Sequence, residues 1–247
     1  MGSPLEARFG EGSGAQRLAA LSPFYLGAYE VTVARFRASG LHATLSLGGA
    51  FGTNENDFCT LTAAPGPNEN EPINCVTRDV ARDYCRREGG DLPTEAQYEY
   101  AASALRSAPF VWGTDPPTCE GVVMSRAGAF SITGDESCRQ LGTKGGAAAV
   151  GSGALDRLDL PTGTVFDLIG NVSEFVRDEW NQLIEPCWSR PGLYVNPVCT
   201  TPGTLDAHPI YSLRGGHWSA TPNRASGRIY ARGSYPLHGF RCARPAD

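Results

Sequence analysis

The sequence predicts an irregular, loop-rich α+β fold, and three observations lead there. Charged residues make up only 19% of the chain while glycine (30) and proline (18) are abundant, which suits short strands and long loops better than a helical bundle or coiled coil. Helical periodicity with recognisable caps occurs only in short stretches. Between them lie Gly-, Asn-, Ser- and Pro-rich segments that read as ordered loops. At 247 residues the chain is long enough to bury a core unaided. With no internal repeat and no linker, it reads as a single domain over 1–247.

The elements follow in order. Residues 24–31, Phe24-Tyr-Leu-Gly-Ala-Tyr-Glu-Val31, alternate like a strand. Thr32 then caps a short helix from Val33 to Ser39 that stops at Gly40. Residues 41–76 lack helical periodicity and form a long loop. Asn74-Cys-Val-Thr77 leads into a helix with Val80, Ala81, Tyr84 and Cys85 on one face, ended by Gly89-Gly90. Thr94 and Gln97 form a capping box at the start of the next helix, hydroxyl and amide each satisfying the other's backbone donor. Residues 110–165 carry few apolar anchors and read as surface loops and short strands.

Several function classes are excluded. The net charge is −5 and the longest cationic cluster is Arg86-Arg87, too short for a nucleic-acid footprint. No apolar run approaches the roughly 20 residues that span a bilayer. The opening Met-Gly-Ser-Pro lacks the basic and apolar regions of a signal peptide. Eight cysteines form no C-x-x-C and have no histidine at zinc-ligand spacing, so structural disulfides are the better reading. Disulfides imply an oxidising compartment: secreted, periplasmic or envelope-attached.

Read together, the segments Met1-Gly-Ser-Pro4, Tyr29-Glu-Val-Thr32, Pro72-Ile-Asn-Cys-Val76, Leu92-Pro-Thr-Glu-Ala-Gln-Tyr-Glu-Tyr-Ala101, Trp112-Gly113, Asp167-Leu-Ile-Gly-Asn-Val-Ser-Glu-Phe175, Leu213-Arg-Gly-Gly216 and Gly239-Phe-Arg-Cys-Ala243 resemble, in order, the formylglycine-generating enzyme (sulfatase-modifying factor) family. The resemblance covers almost the whole chain and implies the family's C-type-lectin-like α+β fold. Members often carry MGSP after a first strand, so the resemblance also implies a domain of a longer precursor. It implies a Cys85–Cys242 disulfide, whose long loop contributes about 4–5 kcal/mol on the chain-entropy account. The other six cysteines lie outside that pattern. Local pairing would join Cys59–Cys75, Cys119–Cys138 and Cys187–Cys199, one of 15 connectivities.

The resemblance further implies a structural calcium ion at the GNVxE loop. Its ligands would be the Asp167 and Glu174 carboxylates with the Gly170 and Val172 carbonyls, hard oxygens of the kind calcium takes. The alternative for this carboxylate pair is a cap or ion pair. A second family calcium site falls in residues 119–140, where the sequence departs from the pattern, and none is assigned there.

Catalytic members carry RGG-[SH]-[WF]-x-Cys-x4-Cys, whose two thiols bind copper(I). Here the stretch reads Arg214-Gly-Gly-His-Trp-Ser-Ala220-Thr-Pro-Asn-Arg-Ala225, with a methyl group at both thiol positions. Copper(I) needs soft thiolates, so copper binding and formylglycine formation are predicted absent and no catalytic residue is assigned. His217 and His238 are too few for a closed metal site. Ser219, His217 and Asp206 assemble a triad on paper but lack a strand–turn–helix nucleophile signature. Asp178-Glu179 reads as a solvated face rather than an acid/base couple.

What remains is the family's substrate-groove segment. Trp218, Asn223, Arg224, Arg228 and Tyr235 are the candidate contacts for a peptide, glycan or protein ligand, being types that dominate recognition energy. For Trp218 and Arg228 the competing reading is a core or inter-loop staple. The sequence thus points to a non-catalytic binding module. The alternatives are an enzyme of different oxidative or maturation chemistry in the same superfamily, and a structural accessory domain of a longer protein.

Overall fold

The computed structural model describes residues 17–44, 58–125, 146–205 and 210–246. The helices are α1 (Val33–Ala38), α2 (Arg78–Arg87) and α3 (Glu95–Ala102). The strands are β1 (Ala19–Ala20), β2 (Phe24–Leu26), β3 (Arg157–Leu160), β4 (Gly163–Phe166), β5 (Ser173–Glu179), β6 (Tyr194–Val195), β7 (Tyr211–Arg214), β8 (Ile229–Ala231), β9 (His238–Gly239) and β10 (Ala243–Pro245). Short helices and strands embedded in long loops make the loop-rich α+β fold read from composition.

All three helices begin as expected. Thr32, Thr77 and Thr94 each accept a backbone N–H from the first turn, and Thr94 with Gln97 completes the capping box. Gly40 and Gly89 follow the first two helices at φ +78° and +81°, the left-handed region in which glycine ends a helix without strain.

A four-stranded sheet in the order β8-β7-β5-β9 organises the centre. β5 runs antiparallel to β7 and parallel to β9. Because side chains alternate along β5, it serves two cores. Phe175 packs with Phe36, Ile73, Val76, Tyr84 and Phe240 beneath α1 and α2. Val176 packs with Tyr98, Ala101, Leu168 and Ile169 beneath α3. The same alternation turns Glu174 and Asp178 toward α3, where Tyr98 Oη donates to Glu174 (2.9 Å) and the Glu95 amide to Asp178 (2.8 Å). Asp178 is therefore no solvated residue: it is fully buried and also accepts the Cys199 amide at 2.7 Å. Only its neighbour Glu179 stays partly exposed, in an ion pair with Arg78 at 2.9 Å.

Two other expectations change. The strand over 24–31 is ladder only from Phe24 to Leu26, paired with β10. Beyond Gly27 the chain turns so that Tyr29 stacks on Phe166 at 4.9 Å and Glu30 enters the interior. Within 110–165 the segment Val122–Val123–Met124 is buried rather than superficial. Gly170 makes room for it, since a Cβ there would lie 2.5 Å from Val122 Cγ1 and 2.7 Å from Val123 O.

Disulfides join Cys59–Cys75, Cys85–Cys242 and Cys187–Cys199. Cys119 is also disulfide-bonded, while its expected partner Cys138 lies outside the described residues. Cys85–Cys242 ties α2 to the approach to β10 across 157 residues. Cys187–Cys199 closes a lobe around Trp188 and Tyr194. No helix among the described residues is long and apolar enough to cross a membrane.

Candidate functional site

The stretch after β7 is zipped onto the loop before β5. Gly216 N–H donates to Ile169 O at 2.7 Å and Trp218 N–H to Asn171 O at 2.8 Å. The two glycines permit that approach: Gly215 has φ +76°, and a Cβ at Gly216 would sit 2.6 Å from Ile169 O and 2.9 Å from Pro222 Cα. The RGG motif is thus a backbone requirement of this contact.

Arg214, buried at the end of β7, holds the far end of the same stretch. Its guanidinium donates to Glu99 at 2.6 Å, to Ala225 O at 2.7 Å and to Ser226 O at 3.3 Å, and lies 3.6 Å from Glu95. Ala225 is buried against the α3 core, and its N–H donates to Pro109 O at 2.7 Å. Ala220 is half-buried and accepts the Ser125 amide at 3.1 Å. Both thiol positions of the catalytic pattern therefore hold ordered methyl groups that donate nothing to a metal.

The five candidate contacts separate into two groups. Trp218 is buried against Phe58, ring centroids 5.1 Å apart, with its indole N–H aimed at Pro236 O (3.3 Å). Arg228 pairs bidentately with Glu95 at 2.6 and 2.8 Å, donates to Asn181 O and lies 4.5 Å over the Trp180 ring. Both are interior staples. Asn223 is exposed, while Arg224 and Tyr235 are half-buried. Among the described residues, Asn223 and Arg224 side chains have no hydrogen bond or ion pair, whereas Tyr235 packs edge-on against His238 at 5.2 Å.

His217 and His238 lie in the same region as neutral imidazoles. Burial lowers His217 to about 4 and, with His217 nearby, His238 to about 3. Ser219 Oγ lies 3.1 Å from His217 Nδ1, but Ser219 is only 1% exposed, and Asp206 lies outside the described residues.

Beneath this stretch is a charge cluster whose extent the motif reading missed. Arg241 pairs with Glu174 through Nε and Nη2 at 2.7–2.9 Å, and donates to Asp167 O at 2.8 Å and Gly27 O at 3.1 Å. Asp156 accepts the Leu168, Ile169 and Gly170 amides at 2.7–3.0 Å. Glu30 accepts Val172 N–H and Asn171 Nδ2, and Asp167 accepts Gly151 N–H. With four carboxylates around one guanidinium, burial raises Glu30 well above the usual range and lifts Asp156 to about 6 and Asp167 to about 7. Arg241 and Tyr98 were legible as parts of GFRC and LPTEAQYEYA. Glu30 lay in the Tyr29-Glu-Val-Thr32 segment, whereas Asp156, outside every quoted motif, carried no signal of its role.

Of the donors expected to hold calcium, the Glu174 carboxylate accepts from Arg241 and Tyr98, and the Asp167 carboxylate accepts Gly151 N–H.

Comparison with known proteins agrees with this architecture. Similar solved structures include PvdO from Pseudomonas aeruginosa (TM-score 0.60, 21% identity, 90% of this chain and 80% of that one). Treponema denticola variable protein 1 is similar over 96% of this chain and 90% of its own (TM-score 0.58, 15% identity). CarF is similar over 91% of this chain and 87% of its own (TM-score 0.56, 13% identity). At such identities these likenesses establish the fold alone. No curated protein sequence matches the chain. The sulfatase-modifying factor enzyme 1-like domain matches residues 1–246, and the chain belongs to that family.

Proposed function

We propose that this chain is a binding module of its family that lacks copper-dependent oxidation. Its ligand, a peptide, glycan or protein surface, docks on the C-terminal stretch through Asn223, Arg224 and Tyr235, which form the rim of the proposed site. The observation that carries the proposal is Ala220 and Ala225 at the two thiol positions of an otherwise complete motif set. A methyl group has no lone pair for copper(I), and no other cysteine of the chain lies in that stretch.

The division of the arginines supports the rim. Arg214 and Arg228 are neutralised inside the molecule, so they have little left to offer a ligand. Arg224 presents a planar fork of donors beside Ala225, and with Tyr235 it supplies side-chain types that anchor interfaces. An enzyme of different chemistry has weaker support. The Ser219–His217 pair couples an imidazole held at about 4, a weak base at neutral pH, to a hydroxyl that solvent barely reaches. The disulfides support an extracytoplasmic location.

Two assays on the oxidised, full-length chain test the reading. Elemental analysis with oxygen-dependent turnover of a cysteine peptide is expected to give neither copper nor product; stoichiometric copper with turnover would overturn it. A peptide and glycan array is expected to show binders lost on Arg224→Ala and Tyr235→Ala. An array blank for the wild type would favour the accessory-domain reading instead.

A further inference from the structure

Trp218 belongs to a small apolar cluster with Val123, Ala147 and Val172, and Phe58 is the half-buried ring laid against it. The two rings are tilted by 34° with centroids 5.1 Å apart, and Trp218 beneath is only 3% exposed. Phe58 in turn is held through its neighbour, since Cys59 is bonded to Cys75. Asn74 clamps the same junction from inside: its Nδ2 donates to Phe58 O at 2.9 Å and Pro236 O at 2.8 Å, while its Oδ1 accepts Thr60 N–H at 2.8 Å. The two ends of the disulfide are anchored unequally. On the Cys75 side, Ile73 N–H donates to Val31 O at 2.8 Å and Cys75 N–H to Tyr235 O at 3.2 Å. On the other side, Cys59 and Thr60 make no backbone–backbone hydrogen bond among the described residues. The disulfide is thus the strong tie that keeps Phe58 over the indole. It is also the accessible one. Cys59 and Cys75 are both half-buried, whereas Cys85 and Cys199, one end of each of the other two described pairs, are wholly buried. An attacking thiolate must reach a sulfur, so the Cys59–Cys75 pair is the one it meets first.

We propose that Cys59–Cys75 is a redox latch on the recognition stretch: a dithiol reductant opens it, Phe58 is released and Trp218 becomes available to a ligand. The disulfide takes two electrons and two protons from the dithiol, which closes to its own disulfide as Cys59 and Cys75 become thiols. The proposal rests on the reading of this stretch as a binding site and adds its regulation. The oxidised chain presents Asn223, Arg224 and Tyr235. The reduced chain presents a large indole beside them, a side chain of the type that dominates recognition energy.

The test is a dithiothreitol titration of the oxidised full-length chain under native conditions, quenched by alkylation and mapped by mass spectrometry. Tryptophan emission, acrylamide quenching and far-ultraviolet circular dichroism are read on the same samples. Cys59 and Cys75 are expected to alkylate first, with a red shift and stronger quenching that are absent in Trp218→Phe, while the dichroism stays unchanged. The double variant Cys59→Ser, Cys75→Ser is expected to show the shifted emission without reductant. Opening of this pair with unchanged emission would overturn the latch, as would a pair that opens only once the dichroism is lost. Should either variant fail to fold, hydrogen exchange at the wild-type Trp218 indole N–H, which donates to Pro236 O, decides. Faster exchange on reduction supports the latch and unchanged exchange overturns it. None of these readouts uses the array. An array without binders therefore defeats the binding reading alone, and unchanged emission defeats the latch alone.

Discussion

Arg214 donates to the carbonyl oxygen of Ala225 at 2.7 Å, so a buried guanidinium sets the backbone at one of the two missing thiol positions. The same group pairs with Glu99 and lies near Glu95, linking α3, β7 and the candidate rim. Replacing it by methionine would leave buried carboxylates without their counter-charge, which typically costs about 3–5 kcal/mol. Arg214→Met is expected to lower the unfolding free energy measured in urea by that margin, and near-wild-type stability would show that the network is dispensable.

Asp178 should make stability fall with rising pH. Burial and the Glu95 charge raise its folded value from 3.8 to about 7. The folded protein therefore holds more protons than the unfolded chain between those values, and this contribution is lost as pH climbs from about 4 to 7. His217 and His238 act oppositely. Depressed below 6.5, they favour the folded state above that pH and lose the contribution as pH falls through it. Comparison with Asp178→Asn isolates the carboxyl. The wild-type advantage in urea unfolding is expected to shrink between pH 4.5 and 7, at most about 1.4 kcal/mol per pH unit, and then level off. A pH-independent difference would mean that Asp178 stays ionised throughout.

Arg224→Ala should separate stability from recognition. The side chain pairs with nothing among the described residues, so unfolding free energy is expected to change by no more than about 0.5 kcal/mol. Array binders should be lost nonetheless, and a large drop in melting temperature would reveal a structural role instead.

Gly216→Ala addresses the zipper beneath the rim. The added methyl would meet Ile169 O at 2.6 Å and Pro222 Cα at 2.9 Å, backbone atoms that cannot rotate away. A cost of about 1–3 kcal/mol is expected, together with faster amide exchange at Gly216 and Trp218 than in the wild type. Unchanged exchange would mean that the contact tolerates a Cβ.

Local chemistry was readable directly from the chain. The caps at Thr32, Thr77 and Thr94, the glycine stops and the absence of thiols at 220 and 225 follow from residue type and short-range spacing, because each acts within one helical turn or one ligand shell. The ordered motifs carried the family assignment, and the implied Cys85–Cys242 pair is present. Side-chain exposure was not readable, because tertiary packing sets it. The alternation of β5 sends Asp178 under α3, Glu95 draws Arg228 inward, and Phe58 covers Trp218. Nor could one-dimensional spacing bring Glu30 and Asp156 to the loop beside Arg241. Burial in a low dielectric couples such distant charges, and only the folded chain decides which carboxylate receives the guanidinium.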